Sequence, residues 1–138
     1  MIIADTGFWI ALANTRDAYH KRAKSALAHH RGPFITTWPV MTETCHLLAN
    51  RLGEHAAMAF VRSANLGAFQ IFSLERSHLG RIEQLMEKYR SLPIDLADAS
   101  LVILAEEIGT GRILSTDKRD FGAYRWKERK PFRNLLAG

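Results

Sequence analysis

Short apolar runs alternate along the chain with longer segments whose apolar residues recur at helical spacing. The run "MIIA" (1–4) reads as a buried strand ended by Asp5. "TGFWIALAN" then predicts a helix with Thr6 near its cap, and "DAYHKRAKSALAHH" a second helix opened by Asp17. "PFITT" is a second strand. After it, Thr37 and Pro39 supply a cap and an N1 proline for the helix "VMTETCHLLANRLG", which closes on Gly53. Residues 54–65 read as helical, with Gly67 after them, and "AFQIFSL" as a third strand. "ERSHLGRIEQLMEKYRSL" predicts an amphipathic helix with Leu79, Ile82, Leu85, Met86 and Tyr89 on one face. "PIDLADASLVILAEEIG" (93–109) predicts a helix too apolar to lie on the surface, yet Asp95 and Asp98 stand in its first turn. "RILST" is a fourth strand, "DKRDFG" a loop, and "AYRWKERKPFRNLL" a closing hairpin or edge strand.

Strands alternating with helices predict an α/β sandwich with a mainly parallel central sheet. Right-handed crossovers then align the C-terminal strand ends along one edge, where such folds bind ligands. Without repeats, low-complexity tracts or Pro/Gly/Ser linkers, the chain is expected to be one domain over 1–138.

That edge gathers acids. Asp5 and Asp117 each follow an apolar strand, and Glu43 lies near the start of the helix leaving the second strand. Asp98 heads the buried helix, but the sequence leaves open which end of the sheet that turn reaches. Each acid alone has an ordinary structural role: Asp5 and Asp95 as helix caps, Asp98 at the third position of a capping box, Asp117 in an Asx turn, Glu43 as a solvated residue. Together they would repel one another unless a divalent cation neutralised them, and Mg²⁺ or Mn²⁺ takes oxygen ligands of this kind. Such a cluster is the protein half of metal-assisted phosphodiester hydrolysis. On this reading Asp95 caps the helix and Asp98 faces the metal.

Composition narrows the field. Apolar residues make up 47% and charged residues 24%, an ordinary globular profile, and no apolar run approaches a membrane span. The start of the chain is not expected to act as a secretory signal. The single cysteine, Cys45, excludes an internal disulfide and fits a reducing cytoplasm; it is expected to be a small buried residue. A net charge of +5 favours a polyanionic partner. The excess is concentrated in "YRWKERKPFRNLL", where Arg125, Lys127, Arg129 and Lys130 are candidate RNA contacts interleaved with Tyr124, Trp126 and Phe132. P-loop, G-x-G-x-x-G and G-x-S-x-G motifs are absent, and Cys45 and His46 diverge on a helix. The six histidines read as surface or satisfied side chains, and Phe8 and Trp9 as core or interface. An aspartyl-nucleophile phosphatase would need an acid where Gly7 stands. A non-catalytic RNA- or protein-binding module using the basic segment is the remaining alternative.

Four segments, "IIADTGFWIALAN", "TETCHLLANRLG", "DLADASLVILAEEIG" and "RILSTDKRDFGAYR", resemble in order the signatures of PIN-domain ribonucleases. The likeness covers essentially the whole chain and is nearest to VapC-type toxins of prokaryotic toxin–antitoxin pairs. It implies a PIN-like α/β/α sandwich of about five strands and a Mg²⁺- or Mn²⁺-dependent endoribonuclease. By position it implies Asp5, Glu43, Asp98 and Asp117 as catalytic. Asp5 and Asp98 would be the principal metal ligands, with Glu43 and Asp117 completing the pocket or acting through water. Thr6, Thr116, Asp95 and Asp120 would support them, Thr6 by hydrogen bonding to Asp5. It further implies a homodimer, a transfer or ribosomal RNA substrate, and an antitoxin that can push a basic side chain into the acid pocket. The "FWIALAN" face would be a wall of that antitoxin's groove.

Overall fold

The computed structural model describes residues 1–136; Ala137 and Gly138, the end of the expected domain, lie outside the described residues. Strands β1 (Ile2–Ala4), β2 (Phe34–Thr37), β3 (Gln70–Phe72) and β4 (Arg112–Leu114) form a sheet with β7 (Arg133–Asn134) at its edge. Their order is β3-β2-β1-β4-β7, and every pair is parallel. Central β1 is buried on both faces, which is why its sequence is continuously apolar rather than alternating. Its register sets Ile3 against Ile35 on one side and Ile113 on the other.

Helices flank this sheet: α1 (Thr6–Ala13), α2 (His20–His29), α3 (Trp38–Leu52), α4 (Glu54–Asn65), α5 (Leu79–Lys88), α6 (Leu96–Ile108) and α7 (Lys118–Ala123). The result is the expected α/β/α sandwich with five strands in its central sheet. The apolar helix α6 packs against both α3 and α5, and Ala97 and Ala99–Ala105 are all buried. Thr37, at the end of β2, shares a 2.6 Å hydroxyl–hydroxyl hydrogen bond with Ser100 in that interface. Trp9, Phe60 and Phe69 form a second cluster, with Trp9 and Phe69 centroids 4.4 Å apart, tying α1 to α4. Each such aromatic pair contributes about 0.5–1.5 kcal/mol beyond its buried area.

Several sequence expectations need correction. "DKRDFG" is not a loop but α7: the Asp117 carboxylate accepts from the Asp120 amide and caps it, and buried Phe121 anchors it. Asp17 does not open α2. It organises the preceding turn, and the helix starts at His20. Trp38, not Pro39, occupies N1 of α3. On α5 only Ile82 and Leu85 are buried, whereas Leu79 and Met86 are half exposed. The closing segment is both a hairpin and an edge strand. Strand β5 (Arg125–Trp126) pairs antiparallel with β6 (Lys130–Pro131) before β7 joins the main sheet. Cys45 is only partly buried.

Candidate active site

The topology delivers the acids to one place. Strands β1 and β4 run side by side, so Asp5 and Ser115–Asp117 leave the sheet together, and α3 leaves neighbouring β2 at the same edge. Helix α6 precedes β4 and runs back along the sheet, which resolves the open question about its head: Asp98 lies at this edge too. Asp5, Glu43, Asp95, Asp98, Asp117 and Asp120 all line one open cleft of about 590 Å³.

Asp5 forms its floor and is 6% exposed. Its carboxylate accepts from the Thr6 amide at 2.7 Å and from the Ser115 hydroxyl at 3.0 Å. Thr6 serves two acids, because its hydroxyl donates to Glu43 Oε1 at 2.6 Å. Ser115 is a second bridge: the same Oγ accepts from the Asp117 amide at 3.0 Å, so one buried hydroxyl fixes Asp5 relative to Asp117. Ser115 is itself clasped by Asn134 on β7, which accepts from its amide at 3.2 Å and donates to its carbonyl at 2.9 Å. Thr116 lines the cleft and packs on Gly7 so closely that a Cβ there would stand 1.9 Å from its Oγ1. Glycine is what lets the head of α1 approach the β4–α7 link.

At the head of α6 the two aspartates divide their work. Asp95 is the cap, accepting from the Asp98 amide at 2.8 Å. Asp98 is left facing the cleft, where the Tyr124 hydroxyl donates to it at 3.1 Å. Tyr124 is fully buried, edge-on to both Tyr89 and Phe121, so this donor is rigidly held. One carboxylate oxygen from each of Asp98, Asp117 and Asp120 lies within 4.8 Å of the others. That set of three hard oxygen donors fits a divalent cation.

Burial and mutual repulsion make these carboxyls costly to ionise together. Burial raises the Asp5 carboxyl to about 6, with Glu43 and Asp117 adding to the effect. Burial likewise raises Asp98 to about 8, reinforced by Asp5, Asp95 and Asp117 and only partly opposed by Tyr124. Asp117 is also raised, chiefly by burial. Tyr124 is held in its neutral, donating form by burial and by the Asp98 charge. Carboxyls that resist ionisation while sharing a cleft signal a function.

The basic segment lies elsewhere. From Tyr124 beside Asp98, β5 runs along α6 until the Lys127 amide donates to Glu106. Glu106 is eight residues from Asp98, about 12 Å along a helix. Arg125 turns inward onto the carbonyls of Gly122, Ala123 and Tyr124. Lys127 and Lys130 sit over the Trp126 ring, 5.9 and 5.0 Å from its centroid. Of the "FWIALAN" face, Phe8, Ile10 and Ala11 belong to the core, while Trp9, Leu12 and Ala13 line an apolar recess of about 280 Å³ with Leu27 and Phe60. Sequence reasoning missed Ser115, Asn134 and Tyr124 as members of the site. Only "ST" directly before Asp117 offered any local sign of the first.

A parallel sheet whose C-terminal edge gathers these acids defines a class of acid-cleft α/β domain, and the sequence comparison gives its family. The chain belongs to the PIN-domain family, whose model matches residues 2–127. It is 27% identical over 124 residues to ribonuclease VapC26 of Mycobacterium tuberculosis, covering 90% of this chain and 92% of that one. Over 59 residues it is 44% identical to the 23S rRNA-specific endonuclease VapC20 of the same species, 43% of this chain and 45% of that one. The crystal structure of M. tuberculosis VapC20, a sarcin–ricin loop cleaving toxin, superposes with a TM-score of 0.79 at 24% identity. That match spans 86% of this chain and 92% of the other, and it shows the shared fold.

Proposed function

We propose that this chain, as one PIN domain over 1–138, is a Mg²⁺- or Mn²⁺-dependent endoribonuclease and the toxin of a VapBC-type pair. The observation that carries the reading is the convergence of Asp5, Glu43, Asp98 and Asp117 from four separate elements into one cleft. Relatives named as ribonucleases support it.

Asp98, Asp117 and Asp120 would hold the cation, with Asp5 beside them; the close oxygens of Asp98, Asp117 and Asp120 promote Asp120 from support to ligand. A divalent cation there supplies charge neutralisation at phosphorus and lowers the pKa of water. The chain's own residues do the positioning. Ser115 and the Thr6 amide fix Asp5, and Tyr124 sets the orientation of Asp98. Glu43, held by the Thr6 hydroxyl, would orient the attacking water. As the water oxygen bonds to phosphorus, the P–O bond to the departing ribose oxygen breaks and a proton goes to that oxygen. The substrate would be a structured RNA, ribosomal or transfer, cut in a single-stranded loop.

A cognate antitoxin would inhibit by placing a basic side chain in the acid cleft, where it competes with the cation. The toxin is proposed to work as a homodimer in the cytoplasm; no helix among the described residues is long and apolar enough to cross a membrane. The test is cleavage of ribosomal and transfer RNA by purified protein, with and without chelator. Metal-independent RNA binding with no cleavage would replace this reading by that of a binding module.

A further inference from the structure

The cleft that would cut RNA is hostile to it. Seven carboxylates line it, and a single divalent cation offsets only part of that charge against an incoming polyanion. Cations beside the cleft must therefore hold the strand next to the scissile phosphate. The basic hairpin leads away along α6, and none of its side chains lines the cleft.

One cation lines the cleft, and two more stand against an aromatic ring that lines it. Arg51, in the last turn of α3, is the only basic side chain lining it among the described residues. It is exposed and pairs with none of the neighbouring acids. Tyr19 lines the same cleft from the turn before α2. Its ring has the Arg22 guanidinium and the Lys118 ammonium each 5.7 Å from its centroid. Tyr19 is held in place: its amide donates to Asp17 Oδ1 at 2.8 Å, and His20 anchors the start of α2 through a 2.7 Å hydrogen bond to the Ala11 carbonyl.

We propose that the rim of the cleft around Tyr19 and Arg51 is an RNA grip, in which Arg51, Lys118 and Arg22 bind phosphates next to the scissile one while Tyr19 stacks an unpaired base. The grip draws on three elements, α2, α3 and α7, and α7 also carries Asp117 and Asp120 at its head. It therefore fixes which way the strand enters relative to the metal site. Cations around an aromatic platform are how single strands are held without sequence readout. This inference rests on the nuclease reading for its meaning, but not for its measurement.

The test is binding without cleavage. Anisotropy of a fluorescein-labelled, mixed-sequence single-stranded RNA is measured against full-length protein in chelator, and again in Mg²⁺ on an Asp5→Asn background. Arg51→Ala and Lys118→Ala are each expected to weaken binding about tenfold and to reduce the salt slope by about 0.7. Tyr19→Ala is expected to cost about tenfold, whereas Tyr19→Phe keeps the platform and binds as wild type. In cleavage assays Arg51→Ala should raise KM and leave kcat within about twofold. If Lys130→Ala on the hairpin loses as much binding as Arg51→Ala, the assignment is overturned. It is equally overturned if Arg51→Ala binds normally while melting like wild type. A chain that binds through this rim but never cuts would instead keep the grip and sink the nuclease reading.

Discussion

The acid cleft and the basic hairpin flank the same helix, one at the head of α6 and the other reaching toward its tail, and both are conspicuous in charge. They differ in how the charge is assembled. The hairpin's cations are neighbours in sequence, and Lys127 and Lys130 lie exposed over one indole, an arrangement that costs the fold little. The cleft's carboxylates come from positions 5, 43, 98 and 117, and Asp5 and Asp98 resist ionisation there. Charge contiguous along the chain can be mere surface. Charge carried inward from distant segments, against its own desolvation, needs a ligand to account for it.

The largest expected effect is catalytic. Asp5→Asn or Asp98→Asn should lower RNA cleavage by at least about 100-fold while the protein still folds, since a metal-held transition state is worth several kcal/mol. Replacing Lys127, Arg129 and Lys130 together by alanine should change the rate by less than about threefold. A reversed ranking would break the contrast between the two regions.

Next comes stability without metal. Carboxyls with raised folded-state pKa values bind protons more tightly folded than unfolded, so their contribution falls as pH rises from about 4, through about 6 for Asp5 and about 8 for Asp98. The metal-free protein should therefore melt lower at pH 8 than at pH 5. Asp98→Asn should flatten that dependence and raise the pH 8 melting temperature by a few degrees, about 1 kcal/mol. Mn²⁺ should restore wild-type stability at pH 8 and release protons on binding, which calorimetry in buffers of different ionisation enthalpy would detect. If Mn²⁺ left the melting temperature unchanged, the cleft would not be a metal site.

Asp95 provides a contrast within a single turn. Asp95→Ala should destabilise by about 1 kcal/mol through loss of the cap, opposite in sign to Asp98→Asn at high pH. The smallest effect expected is that of Tyr124→Phe: a few-fold weaker Mn²⁺ affinity with cleavage reduced in proportion, as Asp98 loses its one side-chain donor. Unaltered metal affinity would make Tyr124 a packing residue only.

Much of this was legible from sequence because periodicity reports burial. A run as short and continuously apolar as "MIIA" reads as a strand buried on both faces, and an acid straight after it then stands at the strand's end. The double role at the head of α6 was legible too, since Pro93 and Leu96 leave Asp95 as the cap. Contacts between distant residues left no such trace. The Ser115–Asp5 hydrogen bond joins residues 110 apart, and Tyr124 reaches Asp98 only because β5 returns along α6. Helix α7 escaped notice because an aspartate that caps a helix and one that opens a turn look alike locally. The sequence displayed the charge of the hairpin but not its direction: one guanidinium nitrogen of Arg125 is tied to the carbonyls of Gly122, Ala123 and Tyr124.

The most direct measurement is RNA cleavage by wild type and Asp98→Asn side by side, in Mg²⁺, in Mn²⁺ and in chelator. The account predicts cleavage that requires metal and disappears in Asp98→Asn. Cleavage that survives chelation, or full activity in Asp98→Asn, would contradict it.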